Sequence, residues 1–298
     1  MLSAERSANL TKVNTNLLYK MNSMKNKLFQ LPVLAFSLLC LSNSLNAQKP
    51  KFNPHEDVRD AGMVTPTVID KMIAVNQVLG KGKVDWKSVG RNYFNYMDRN
   101  NYKDENVMVP VMIGMRMSDG VLSIMARDVE LLNKSAADIE LLAKKIGASA
   151  GTFKRANKVK TYANKKDWNR VFLELGFLQK DVLGTLAKKE LKNRRVILIA
   201  SGWLEGAHMM TSVIQKEYSA DTAALLREPM LVKQMIKEIE ALDATTQKDI
   251  VIKSMLGTLK KIYPMVNVPL HGSVTKENVT QIHEATSAFR KLAIANKR

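Results

Sequence analysis

The chain is short of cysteine, of aromatic side chains and of acid. Its one cysteine among 298 residues, Cys40, excludes an intramolecular disulfide. Because Cys40 lies in the N-terminal segment, the rest of the chain has no thiol nucleophile, thiolate ligand or covalent haem attachment. Aromatic residues make up 6%, which offers few stacking platforms, and no nucleic-acid motif accompanies them, so specific nucleic-acid binding is not expected. Asp and Glu number 28 against 46 Lys and Arg, for a formal net charge of +18. No Ser-His-Asp order, glycine-rich phosphate loop or metal-ligand cluster occurs, which argues against an enzyme and against a bound cofactor. Runs of alternating apolar residues bounded by turn signals are also missing, so a sheet has little to be built from.

What is present begins with an export signal. Lys25 and Lys27 precede an apolar run from Leu28 to Leu41, and Leu45-Asn46-Ala47 places a small residue at a cleavage position, as in a secretory signal peptide. Met21 or Met24 would make a better start than Met1. Cys40 follows Leu38-Leu39 where lipid attachment wants a small residue, which favours cleavage after Ala47 over lipidation. The expected exported chain, destined for the periplasm or cell envelope, keeps 41 Lys and Arg against 27 Asp and Glu, or +14. These cations are scattered in ones and twos, a pattern suited to adhesion to an envelope protein, an anionic lipid or a glycan. Three parts follow: residues 1–47 as N-terminal extension and signal, 48–64 as an irregular lead-in, and 65–298 as a single all-helical domain.

Apolar spacing of three and four predicts helices throughout, arranged as an antiparallel helical bundle or stacked helical hairpins. The predicted segments are 65–80, opened by Thr65-Pro66; 85–99, with Trp86, Val89, Tyr93, Tyr96 and Met97 inward; and one long helix over 107–132. Ser135 with Asp138 is expected to cap a helix ending near Gly147. Further helices are expected at 150–164, 167–191, from Ser219 or Asp221, beyond Pro229, from Thr246 to Pro264, and from Thr275 onward.

The organising segment is 196–214, with Asn193 as its expected N-cap. Gly202 and Gly206 notch this helix and, with Gly114 of the 107–132 helix, are expected to allow close helix packing. The segment is long enough to span a bilayer, but Glu205 near its middle would cost on the order of 3 kcal/mol there, so a buried soluble helix is preferred and no span is expected in the exported chain. Arg116, Asp119, Ser123 and Arg127 from the earlier helix are expected to meet Ser201, Glu205, His208 and Ser212 in a polar seam, with Arg116 or Arg127 neutralising Glu205. An echo links Asp119-Gly120 and Glu205-Gly206, 86 residues apart, compatible with repeated helices.

Glu205 and His208 have the Glu-x-x-His spacing of di-metal bundles, yet His55, His271 and His283 have no glutamate three residues earlier to supply the second copy. Met108, Met112, Met115, Met209 and Met210 could supply soft copper(I) ligands, but such spacing suits flexible core filling better. Glu174, between Leu173 and Leu175, reads as an edge acid.

The stretch Gly202-Trp203-Leu204-Glu205-Gly206 with Thr211, together with Gly114 and Asp119, resembles the hallmark of a family of bacterial envelope proteins, some exported and some lipid-anchored, all predicted helical. The resemblance covers roughly residues 105–245, and the chain departs from it at Arg116, Gly120 and His208-Met209. It implies location and an all-helical fold; the family has no established activity. The expectation is therefore a non-catalytic structural or interaction component of the cell envelope. The competing class is a bundle binding a small ligand or metal at the polar seam.

Overall fold

The computed structural model describes residues 84–93, 102–148, 150–186, 191–269 and 272–296, with residue 77 alone among its neighbours. All belong to the compact unit Thr65–Arg298. The signal, the lead-in, the remainder of the helix expected at 65–80, Tyr96, Met97 and His271 lie outside the described residues.

The fold is all-α, with no strand among the described residues. In chain order the helices are α1 (Trp86–Tyr93), α2 (Met108–Met125), α3 (Val129–Lys145), α4 (Ala150–Asn164), α5 (Trp168–Thr185) and α6 (Lys192–Ile214). They continue with α7 (Ala220–Ala224), α8 (Pro229–Glu240), α9 (Ala244–Lys248), α10 (Ile250–Val266) and α11 (Lys276–Ala295). Short turns join α2 to α3 and α4 to α5, and successive helices pack on one another from α2 through α5. The deepest packing is between α2 and α6, and α6 also rests on α11.

Several boundaries differ from expectation. The helix expected over 107–132 is two helices. Arg127 takes the left-handed conformation (φ 50), and the Asp128 N–H donates back to the Ser123 carbonyl at 3.0 Å, closing α2 in the manner usually reserved for glycine. The Asp128 carboxylate then accepts from the Leu131 N–H and opens α3, so Ser135 and Asp138 lie in mid-helix rather than at a cap. Lys166 (φ 57) and Asp167 repeat the device between α4 and α5. Helix α5 ends at Thr185 rather than near residue 191. Leu191, not Asn193, precedes α6, and the Asn193 amide donates to Asp243 instead. Asp243 caps the short α9, Asp249 opens α10 where Thr246 was expected to, and Pro264 lies inside α10, which runs on to Val266.

Helix α2 is buried from Met108 to Ile124, so that Arg116, Ser118, Asp119 and Ser123 are enclosed together with its apolar residues. Both α2 and α6 are long and apolar enough to cross a membrane by length and composition, and 94% and 83% of their apolar windows are buried inside the protein. Their closest approach is at Gly114 and Gly202. A Cβ on Gly114 would overlap the Leu198 carbonyl and the Ser201 hydroxyl, and one on Gly202 would stand 3.1 Å from the Gly114 carbonyl oxygen. Gly206 is also buried. The two helices run in the same direction, because Arg194 donates to Asn106 and Ser118 donates to the Gly202 carbonyl, joining residues 88 and 84 apart. That offset matches the 86-residue separation of the acid-glycine echo. Met108, Met112, Met115, Met209 and Met210 fill this core at 0 to 1% exposure.

Candidate functional site

Five charged side chains are buried where α2, α3, α6 and α11 meet. Arg116 is fully enclosed, and its guanidinium reaches Asp119 on its own helix and Asp138 on α3, each at 2.9 Å. Three residues separate Arg116 from Asp119 along α2, which places both on one helix face, and the turn at Arg127 folds α3 back so that Asp138 faces them. Glu205 on α6 accepts a 2.8 Å hydrogen bond from Arg290 Nε on α11. Arg290 also lies near enough to Asp119, and Arg116 to Glu205, for each to act on the other's charge. The two ion-paired groups therefore form one electrostatic unit.

Two guanidiniums face three carboxylates in that unit, so full ionisation leaves one uncompensated negative charge in a low-dielectric interior. The expected response is retention of a proton. Burial pushes Glu205 up to about 7 against the opposing pull of Arg290, with Asp119 raising it further. Burial likewise raises Asp119 above the usual carboxylate range, although Arg116 and Arg290 oppose it. Near neutral pH the unit is thus poised to hold one proton shared among its carboxylates, with burial favouring the neutral form of both Glu205 and Asp119.

Beside it, α6 and α11 carry the same short pattern, His208-Met-Met-Thr211 and His283-Glu-Ala-Thr286. The helices run antiparallel, so each histidine meets the other's threonine: His208 Nδ1 lies 3.2 Å from Thr286 Oγ1, and His283 Nδ1 lies 3.1 Å from Thr211 Oγ1. Both hydroxyls donate to carbonyls of their own helices, Thr211 to Ala207 and Thr286 to Ile282, each at 2.8 Å. They must therefore accept from the rings. Each ring also faces the backbone carbonyl of the opposite histidine, 3.3 Å from His283 Nδ1 to the His208 oxygen. Two acceptors at each Nδ1 fix the proton there and make both imidazoles neutral Nδ1–H tautomers.

The rings stack with centroids 4.4 Å apart and planes 14° from parallel. Charging either ring would set a cation against its partner in a buried place. Burial lowers His208 to about 3, helped by His283, Arg290 and Lys291, and burial lowers His283 as well.

The residues expected in the seam separate into three places. Arg116, Asp119, Glu205 and His208 come together, but the partner of Glu205 is Arg290 rather than Arg116 or Arg127. Arg127 is exposed at the α2–α3 turn and takes no part. Ser123, Ser201 and Ser212 turn their hydroxyls back onto Asp119, Leu198 and Met209 carbonyls of their own helices. Asp138, His283, Thr286 and Arg290 were not anticipated. A signal existed for two of them: His283 and Thr286 repeat, in the same order, the three-residue spacing of His208 and Thr211. Glu174 pairs with Arg155 and Lys158 at the α4–α5 contact. No group of three or more His, Cys, Asp or Glu able to hold a metal occurs among the described residues.

In comparisons with protein-family models, curated proteins and solved structures, nothing matches the chain.

Proposed function

We propose that the protein is an exported component of the bacterial cell envelope with a structural or interaction role and no catalysis of its own. The observation carrying this reading is that the polar side chains along the α2–α6–α11 junction are engaged with one another: Arg116 with two aspartates, Glu205 with Arg290, and two histidines with two threonines. Such a junction fixes the mutual register of three helices. A buried ion pair is weak evidence of stability but a known means of specifying one arrangement over its alternatives. Location rests on the basic n-region, the apolar run 28–41 and the small residue Ala47.

Ligand binding in the same junction is the competing reading. It is favoured by Asp119 Oδ1 and Ser135 Oγ, which are buried without a hydrogen-bond partner among the described residues. Two measurements decide between them. Fractionation of cells expressing the full chain should recover it from the envelope with an N-terminus at Gln48; retention of an intact leader in the cytoplasm would end the export reading. Elemental analysis and native mass spectrometry of the purified protein should show no stoichiometric metal or small molecule. A bound species lost in Glu205→Gln while the fold persists would replace the structural role with a binding one.

A further inference from the structure

The α4–α5 hairpin combines an excess of basic charge with two exposed apolar side chains on one helix face, whereas the other large exposed apolar residues, Met230 and Ile250, stand singly on other helices. Residues 150–185 hold eight Lys and Arg against three Asp and Glu, and α4 itself contains no acid. All three acids are engaged within the hairpin. Asp167 caps α5 and pairs with Arg170, Glu174 is held by Arg155 and Lys158, and Asp181 by Arg155. Lys154 and Lys180 have no ion pair among the described residues and are exposed. Their positive charge is directed at solvent with nothing of opposite sign to answer it.

Two large apolar side chains stand in this field. Leu173 and Phe177 are each 43% exposed and four residues apart, hence neighbours on one helix face. Arg170 lies three residues before Leu173 and Lys180 three after Phe177, both exposed, so the face reads cation, leucine, phenylalanine, cation along its length. Aromatic rings are also concentrated here: Phe153, Tyr162, Trp168, Phe172 and Phe177 are five of the chain's 18. Arginines lie over two of them, Arg155 over Phe177 at 4.8 Å and Arg170 over Tyr162 at 5.3 Å.

We propose that this face of the α4–α5 hairpin docks on an anionic lipid surface, with Leu173 and Phe177 entering the headgroup boundary and the surrounding lysines and arginines meeting lipid phosphates. Charge complementarity selects the partner. A polyanion without hydrocarbon, such as nucleic acid or an acidic glycan, would satisfy the cations but leave Leu173 and Phe177 in water, whereas a bilayer accepts both. The inference rests on the envelope reading for its setting and deepens it by naming the surface the protein meets.

The test is flotation of the protein, in the form recovered after export, with vesicles of phosphatidylcholine alone or with about a third phosphatidylglycerol. Binding is expected only with phosphatidylglycerol and should weaken as salt rises, since exposed charges are screened beyond about 10 Å at 0.1 M. Replacing both Leu173 and Phe177 by Ser is expected to weaken binding about tenfold or more, because the apolar contribution scales with the hydrocarbon buried. Lys154→Glu with Lys180→Glu should also abolish the phosphatidylglycerol dependence. All four positions are exposed, and unchanged thermal midpoints would certify the fold. The proposal fails if neither vesicle is bound, if the Leu173 and Phe177 replacements leave binding intact, or if heparin or single-stranded DNA binds equally well to wild type and to those replacements and displaces the vesicles. Vesicle binding by a chain that fractionation finds in the cytoplasm would overturn the envelope reading and leave the lipid-binding face standing.

Discussion

Glu205 and Arg290, 85 residues apart in sequence, meet on buried faces of α6 and α11, and their consequences under substitution are unequal. Glu205 is already drawn toward its neutral form, so Glu205→Gln removes a charge the interior resists and leaves an amide oxygen for Arg290 to bond. It also balances the remaining unit, two guanidiniums against Asp119 and Asp138. A loss of no more than about 1 kcal/mol is expected at neutral pH. Arg290→Met does the reverse: it leaves three buried carboxylates facing Arg116 alone, the situation that costs about 3–5 kcal/mol. Urea denaturation of the two variants checks this pair of values. If the two variants lose equally, the junction contributes through packing rather than charge.

At the scale of the helix, two glycines six residues apart on α2 do different jobs. Gly114→Ala would force its new methyl into the Leu198 carbonyl and Ser201 hydroxyl, so α2 and α6 must separate, at a cost of roughly 1–3 kcal/mol or more. Gly120 has its nearest neighbours at 3.7 Å, ordinary contact, so Gly120→Ala should be neutral or stabilise by up to about 1 kcal/mol through helix propensity. Thermal midpoints of the two variants should therefore move in opposite directions or by clearly unequal amounts. Arg127 supplies a second prediction. It holds φ 50 without the freedom of glycine, a strain of about 1 kcal/mol, so Arg127→Gly should raise stability by a few tenths to 1 kcal/mol despite the extra chain entropy of glycine. These positions also explain what could be read from sequence. Helical class and the apolar faces were legible, because period 3.6 is written in the chain, as were Thr275 and Ser219 as caps. The break after α2 was not, since a basic residue occupies the left-handed position where glycine or asparagine would have announced a stop. At the site, Arg116, Asp119, Glu205 and His208 were legible as polar residues on apolar helices. Arg290 was hidden because tertiary pairing leaves no local mark, and its neighbours Phe289 and Ala293 make α11 read as a plain core helix.

For the molecule as a whole, the two titrating clusters oppose each other. His208 is held at about 3 in the fold against an ordinary 6.5 when unfolded. Between those values the unfolded chain binds a proton that the native one refuses, so stability falls as pH drops from about 6.5 toward 3. His283, also lowered, acts in the same sense. Glu205 is raised to about 7 from 4.5, and Asp119 is raised too. Between 4.5 and 7 the native chain keeps a proton the unfolded one has released, so this contribution is largest below 4.5 and is lost as pH rises through 7. Each effect amounts to about 1.4 kcal/mol per pH unit for one proton. They overlap between about pH 4.5 and 6.5 and cancel there, giving a stability plateau across mildly acidic conditions. Glu205→Gln removes one side of the balance, and its stability should then climb steadily from pH 4.5 to 6.5 relative to wild type, by roughly 1 kcal/mol per unit. Urea midpoints of both proteins, taken at intervals over that range, give the difference curve, in which other titrating groups largely drop out. Parallel profiles would mean that Glu205 is ionised throughout and that the spare proton resides elsewhere in the junction. A climbing difference would identify the buried carboxylate as its carrier, and would make the register of α6 against α11 the feature through which acidity acts on the fold.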